Sequence, residues 1–295
     1  MNNINVSDIL KATGGKLIQG DSELPINGIS TDTRSIKHGE IFFALEGKNY
    51  DGHKFVEQAI HNGAAGAVIS SGKKSAYSFH NGFKKCALLE VADTLRALGD
   101  LAKFYRNSLP TSFIAVTGSN GKTTTKDMAY HVLGNFKSVS RSRKSFNNFI
   151  GVPLTIFETE ITHDFCIVEM GTNAPGEIKR LSEIIFPDLA ILTNISNAHL
   201  EGLGSIEGVA NAKSEFIENM AEDGTLITNA DDDWCNQIAN RFNGKVISFG
   251  FNQSADIKAS NVKRDDSGFV FTVNDSLTVN LPVFGKHNIY NALAV

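Results

Sequence analysis

Cysteine is scarce: Cys86, Cys166 and Cys235 are the three present in 295 residues, and none forms a CxxC pair. This excludes a zinc ribbon or a disulfide framework and fits a reducing compartment. There is no run of 18 apolar residues, so no membrane-spanning helix is expected. The N-terminal stretch MNNINVSDILKATGG lacks a basic region followed by an apolar one, so it does not read as a secretory signal. Basic charge is not in excess either: 28 Lys+Arg face 32 Asp+Glu, for a net charge of -4. That balance excludes the footprint of a general nucleic-acid binder but leaves room for small anionic ligands at a local site. Internal repeats and low-complexity tracts are absent. A cytoplasmic protein is expected, with no nucleic-acid partner and no membrane insertion.

Enough apolar material is present for a real core, with 41% hydrophobic and 20% charged residues. The length suits two domains or one large α/β domain. Up to about residue 90, short apolar runs alternate with Gly and charged turns. IFFAL (41–45) and AAGAVIS (64–70) read as strands, and 52–62 as a helix stopped by Gly63. From Val91 a helix is expected to run to Pro110, with Asp93 as its cap. Strands and helices then alternate: SFIAVT, KDMAYHVLGNF, FCIVEM, EIKRLSEII, DLAILTNI, GVANAKSEFIENM, TLITNA and KVISFG. Such alternation predicts a parallel sheet wrapped by helices. Residues 256–284 alternate polar and apolar, which predicts an antiparallel hairpin at the sheet edge. The fold class is therefore α/β, with a small N-terminal α/β domain over 1–90 and a P-loop parallel-sheet domain over 91–295. The last residues, HNIYNALAV, read as a helix with no cap, so the chain is expected to be a fragment or a short version of something longer.

The sharpest motif is GSNGKTTT, between the strand SFIAVT and a helix. Gly118 and Gly121 let the backbone turn with its N–H groups inward, and the N-terminus of the helix adds partial positive charge. Lys122 can reach the outer phosphates of a nucleotide, and Thr123 or Thr124 can offer a hydroxyl to Mg²⁺. The standard spacing would need Gly where Val116 stands, so this is the shorter GxxGKT form.

Further candidates lie at the carboxyl ends of strands, where open parallel sheets bind ligands. Glu169 closes FCIVEM and suits Mg²⁺. His199 follows DLAILTNI, although a lone His is more often a structural hydrogen-bonder. On position alone, Lys213 in ANAKSEF reads as an ordinary exposed helix lysine.

Eight blocks in order resemble the Mur ligase family, the ATP-dependent amide-bond formers of peptidoglycan precursor synthesis. They are STDTR from Ser30, GEIFFALEGKNYDGHKF from Gly39, TGSNGKTTT, NNFIGVPLT from Asn147, VEMGTNAPGEI, TNISNAHLEG, AKSEF and GKHNIYNALA. Within the family, VEMGTNAPGEI and NNFIGVPLT resemble the branch that joins D-alanyl-D-alanine to UDP-N-acetylmuramoyl-tripeptide. The EVSSH-type segment of another branch is absent. The resemblance implies that Gly118, Ser119, Asn120, Gly121, Lys122, Thr123 and Thr124 bind the phosphates of ATP. It implies that Thr123 and Glu169 hold one Mg²⁺, and that His199 and a carbamylated Lys213 help to hold a second. Asn147 would lie near the phosphates, and Asn288 and Asn291 at the adenine. Ser30, Thr31, Asp32, Thr33 and Arg34, with Lys48 and Asn49, would form the uridine-nucleotide pocket. Lys122, His199 and Lys213 would be the catalytic set, in a protein expected to be monomeric.

Three departures from the family pattern stand out. Phe149 occupies a position where Glu is frequent. Thr33 replaces a frequent Ser but keeps the hydroxyl. The family's third domain, which supplies an Arg and an Asp to the ATP site, is expected to be missing, leaving this chain inactive alone. The implied chemistry is phosphoryl transfer from ATP to a carboxylate, followed by attack of an amine on the acyl phosphate. Two alternatives remain: a Mur-like ligase of different substrate, or a nucleotide-binding module without ligase activity.

Overall fold

The computed structural model describes residues 4–73 and 85–295. It divides into two compact units, 1–109 with 156–161, and 110–155 with 162–295.

The first unit opens with β1 (Ile4–Asn5) and α1 (Val6–Thr13). Asn5 accepts from the Asp8 N–H while the Asp8 carboxylate accepts from the Asn5 N–H, a reciprocal cap that starts α1. Then come β2 (Lys16–Gln19), β3 (Pro25–Ile26), β4 (Gly28–Ser30), β5 (Glu40–Phe43) and the hairpin β6 (Glu46–Gly47) and β7 (Tyr50–Asp51). A 3₁₀ turn at Gly52–Phe55 leads into α2 (Val56–His61), then β8 (Gly66–Ser70), β9 (Ala87–Val91) and α3 (Thr94–Arg106). The sheet order is β2-β9-β8-β5-β4, parallel except for β2 against β9. Phe42, Ala44, Val56, Ala59, Ala67, Ile69 and Leu88 form its core.

The sequence reading began a helix at Val91 and set the domain break after residue 90. Val91 instead closes β9, and the Asp93 carboxylate caps α3 by accepting from the Leu95 and Arg96 N–H groups. α3 then packs on α1 and β8, and the Thr94 hydroxyl donates to Ala44 O at 2.9 Å, so this helix lies in the first unit. The segment 156–161 also belongs there, where the Tyr105 hydroxyl donates to Thr159 O at 3.0 Å.

The second unit contains β10 (Ser112–Thr117), α4 (Lys122–Leu133), β11 (Val139–Arg141), α5 (Gly151–Glu158, of which 156–158 group with the first unit), β12 (Phe165–Glu169), α6 (Glu177–Ile185) and β13 (Leu189–Leu192). It continues with α7 (Leu200–Leu203), α8 (Ile206–Ser214), β14 (Thr225–Asn229), α9 (Asp233–Ala239), β15 (Lys245–Gly250), β16 (Ile257–Arg264), β17 (Phe269–Val273), β18 (Leu277–Leu281) and α10 (His287–Leu293). Sheet order is β11-β12-β10-β13-β14-β15-β16-β17-β18. Pairing is parallel from β11 to β16 and antiparallel from β16 to β18, as the alternating tail predicts. β12 lies on one side of β10 and β13 on the other. Their carboxyl-end loops therefore open a crevice around the loop that follows β10, at a topological switch point. Buried Ile114, Val116, Ile167, Ile191, Phe249, Phe271 and Ile289 pack this sheet against α4 and α10.

In the second unit β11, α5, α7 and α9 escaped the sequence reading, and in the first unit α1 and every strand but β5 and β8 did. β11 is three residues long, α9 is about two turns, and α5 carries Pro153 in its first turn, where a missing N–H costs little. Among the described residues, no helix is long and apolar enough to cross a membrane.

Candidate functional site

The loop after β10 is set by two glycines. Gly118 has φ +138° and Gly121 φ +83°. A side chain at Gly118 would run into the Thr193 hydroxyl, and one at Gly121 into the Asn291 carboxamide. These positions therefore demand glycine twice over, by backbone and by space. The loop is also fastened to the segment after β13. Ser119 N–H donates to Asn194 O at 2.8 Å, Asn120 N–H to Asn194 Oδ1 at 3.1 Å, Thr193 Oγ1 to Asn120 O at 2.6 Å and Asn120 Nδ2 to Ser196 Oγ at 2.9 Å.

Lys122 opens α4 and turns back on its own loop, donating to Gly118 O at 2.9 Å and Ser119 O at 3.1 Å. Burial holds its ammonium below the ordinary lysine range, against the opposing pull of Glu169. The Thr123 hydroxyl donates to Glu169 Oε2 at 2.8 Å, and Asn147 Nδ2 donates to Glu169 Oε1 at 2.8 Å. Glu169 itself is 1% exposed. A buried carboxylate beside a hydroxyl, at the mouth of a phosphate-type loop, is a hard-oxygen donor pair and fits Mg²⁺. The Thr124 side chain is exposed.

A cleft of about 110 Å³ lies alongside, lined by Lys122, Asn147, Asn148, Phe149, Gly171, Thr172, Asn173, Glu177, Leu181 and His199. Its wall is braced by carboxylates at the start of α6. Glu177 accepts from the Asn173 N–H, and Glu215 accepts from the Gly176 N–H at 2.7 Å and the Lys179 N–H at 3.0 Å. His199 is exposed, has φ +55° and precedes α7. Phe149, the departure noted in the sequence, faces this cleft.

Lys213 corrects the reading made from its position. It is fully buried, and its Nζ has no hydrogen-bond partner among the described residues. The acids nearest it in sequence are engaged elsewhere: Glu215 on the α6 backbone, Glu218 with Lys179 at 2.9 Å. Burial, and then the nearby charge of Lys122, push its pKa down to about 7. An amine held near neutrality with no partner is chemically suited to take up CO₂ as a carbamate.

Well over half of the chain, residues 116–295, matches the Mur ligase middle domain, and residues 25–106 match the catalytic domain of the Mur ligase family.

The chain belongs to the Mur ligase family.

A UDP-N-acetylmuramoyl-tripeptide--D-alanyl-D-alanine ligase of Bacillus subtilis is 40% identical over 270 residues, which cover 91% of this chain and 57% of that protein. The crystal structure of MurF from Acinetobacter baumannii superimposes with a TM-score of 0.89 at 32% identity, over 98% of this chain and 63% of that one. MurF ligase from Thermotoga maritima, solved in complex with ADP, gives a TM-score of 0.80 at 27% identity, over 92% and 61%. The chain thus spans roughly three fifths of the length of such Mur ligases.

Within this Mur ligase chain the candidates divide into groups. Lys122, Thr123, Asn147 and Glu169 are linked by the contacts above, and His199 shares the cleft with Lys122 and Asn147. Asn291 is buried beneath the loop and accepts from the Thr125 hydroxyl at 3.3 Å. Asn288 sits one turn earlier on α10, accepting from Asn291 and donating to Phe284 O.

Ser30 to Arg34 form a turn in the other unit. Asp32 and Arg34 make a two-pronged ion pair, the Ser30 hydroxyl donates to Asp32 O, and Thr33 O accepts from Asn62. Arg34 pulls the Asp32 pKa down to about 2. Thr31 is half-buried, while Lys48 and Asn49 are exposed at the tip of the β6–β7 hairpin.

Near that hairpin, Glu46, Asp51 and His53 could in principle face a common ion. However, His53 Nε2 accepts from the Ser70 N–H at 3.0 Å, which leaves the proton on Nδ1 to donate to Asp51 at 2.7 Å. Lys73 supplies the positive charge at 3.3 Å from Asp51. The cluster is a structural knot that ties the hairpin to β8. Lys126, Thr193, Asn194 and Ser196 were not singled out in the sequence. Only a period-four repeat of lysine after the GKT motif could have flagged Lys126.

Proposed function

We propose that this chain is the nucleotide- and precursor-binding part of an ATP-dependent ligase that joins D-alanyl-D-alanine to UDP-N-acetylmuramoyl-tripeptide. The carrying observation is the Thr123–Glu169–Asn147 cluster beneath the Lys122 loop. It puts a lysine, a hydroxyl and a buried carboxylate at one strand-end crevice. Identity to named ligases along nearly the whole chain supports the same reading.

In this reading the loop N–H groups and Lys122 hold the phosphates of ATP, in a site like the one that accepts ADP in the Thermotoga maritima enzyme. Thr123 and Glu169 would hold Mg²⁺, and His199 with a carbamylated Lys213 would help to hold a second ion. Mg²⁺ would neutralise charge on the transferring phosphoryl group. The precursor carboxylate takes the γ-phosphoryl group, because a free carboxylate has no good leaving group. The amine of the dipeptide then attacks the acyl phosphate, and phosphate leaves. The protein's part is orientation and charge stabilisation, with Lys122 beside the reacting phosphate and the cleft beside Asn147 for the carboxylate. Asn288 and Asn291 lie on the adenine side, and the Ser30–Arg34 turn with Lys48 and Asn49 receives the uridine nucleotide. The enzyme works in the cytoplasm as a monomer.

Calorimetric titration of ADP with Mg²⁺, and separately of UDP-N-acetylmuramoyl-tripeptide, tests this. Both should bind, and Lys122→Ala should remove ADP binding alone. Failure of the tripeptide with binding of another UDP-sugar peptide would point to a Mur-like ligase of different substrate, a reading that Phe149 in the cleft favours. For Lys213, intact-mass measurement in bicarbonate and Mg²⁺ should find one added CO₂. Activity of Lys213→Ala in the complete enzyme should return with short-chain carboxylates.

A further inference from the structure

Two lysines stand one turn apart on α4. Lys122 points into the phosphate loop, while Lys126 points under it and is 1% exposed. Lys126 Nζ lies 3.8 Å from Glu169 Oε2 and 3.5 Å from Asp127 Oδ1, and it donates to Lys144 O. Asp127 is half exposed and already holds Arg141 at 2.6 Å, so its attraction for Lys126 is screened and shared. Glu169 is buried, and a buried carboxylate without a cation is costly. Lys122 also acts on Glu169 through space, but a phosphate in the loop would draw its charge away.

We propose that Lys126 is a positioning residue for the Glu169 carboxylate, a role that rests on the nucleotide reading above. Its charge stays with Glu169 when Lys122 engages phosphate. Its bond to Lys144 O ties α4 to the loop that carries Asn147, whose amide takes the other oxygen of Glu169. Thr123 and Asn147 then grip the two oxygens from opposite sides, and the carboxylate keeps one orientation toward the metal.

The test is calorimetric titration of ADP into the 295-residue chain, with Mg²⁺ and with chelator. Partners that orient a ligating carboxylate are typically worth 10–100-fold in metal affinity. In Lys126→Met, the ratio of ADP affinities with and without Mg²⁺ should therefore fall by roughly 10–100-fold. Lys126→Arg, which keeps charge and donor, should recover part of that ratio. To separate misfolding of Lys126→Met from loss of the metal effect, its melting temperature is measured beside that of Lys126→Met/Glu169→Gln. The double variant should melt above Lys126→Met, because it no longer buries a lone carboxylate. An unchanged ratio in Lys126→Met, or a double variant that melts no higher, overturns the role of Lys126. A parent that binds no ADP, or binds it with no gain from Mg²⁺, overturns the nucleotide and metal reading and this role with it.

Discussion

The loop after β10 and the turn at Ser30–Arg34 are both short, polar and rich in hydroxyls, yet they are held in different ways. The turn is closed mostly by its own neighbours, since Asp32 binds Arg34 two residues on and Ser30 binds the Asp32 backbone, with one bond from farther off, Asn62 to Thr33 O. Arg34 is exposed, so solvent screens the pair. The phosphate-type loop draws partners from far along the chain, with Glu169 46 residues from Thr123 and Asn291 166 residues from Thr125. Its charges are buried, so each interaction is weakly screened and each loss is felt. A local motif can be ordered by itself, whereas a buried site exists only once the sheet has brought its strand ends together.

The largest effect expected from this contrast is at Lys122. Lys122→Ala in the complete enzyme should lower ATP turnover by roughly 10²–10³-fold or more, since a donor aimed at developing charge is worth a few kcal/mol. Steady-state ADP release checks it, and a rate within about tenfold of the parent would break the comparison.

Gly121→Ala comes next. An L-residue in the left-handed region costs about 1–2 kcal/mol, and here the methyl group also meets Asn291. ADP affinity should drop by about tenfold, with a lower melting temperature. Asn291→Ala in the same chain should return part of both; no recovery would mean that crowding by Asn291 is not the cause.

Lys213 sharpens the comparison through pH. The unfolded chain keeps this proton up to its ordinary 10.5, while the folded chain releases it near 7. Unfolding therefore takes up a proton between those values, and stability rises with pH across that window, by at most about 1.4 kcal/mol per pH unit. Below about 7 the full penalty persists. Urea unfolding in CO₂-free buffer should show this slope in the parent and a smaller one in Lys213→Met. Equal slopes would mean that Lys213 titrates normally.

The smallest effect belongs to the turn. Arg34→Ala should leave the melting temperature at neutral pH almost unchanged, because the pair is solvent-exposed. The contribution of Asp32 is present above its ordinary 3.8 and disappears as pH falls through about 2. If the turn receives the uridine nucleotide, precursor affinity should fall while melting does not. A marked loss of stability instead would make the turn a structural element on a par with the buried loop.

Periodicity and punctuation made the second unit legible: β10 begins and ends where SFIAVT does, and the antiparallel tail follows its alternation. GSNGKTTT announced its strand-loop-helix setting because glycine and lysine there answer to local backbone geometry. α3 was read as a helix but not as part of the first unit, since its packing partners α1 and β8 lie before it in the chain. Lys126 was opaque for the same reason, and Lys213 was flagged by the family resemblance but not by its own position. Each looks like an ordinary helix lysine until the neighbouring elements close over it.

Pattern along the chain, then, determined the α/β class, the order of elements, the phosphate-type loop and the family resemblance, because backbone propensity, apolar period and glycine placement are written in adjacent residues. Tertiary structure alone decided that Glu169 sits between Thr123, Asn147 and Lys126, that Asn291 supports Gly121, and that Lys213 is buried without a hydrogen-bond partner among the described residues. Those are facts of desolvation and distance, and neither is defined for a side chain until the strands beside it have paired.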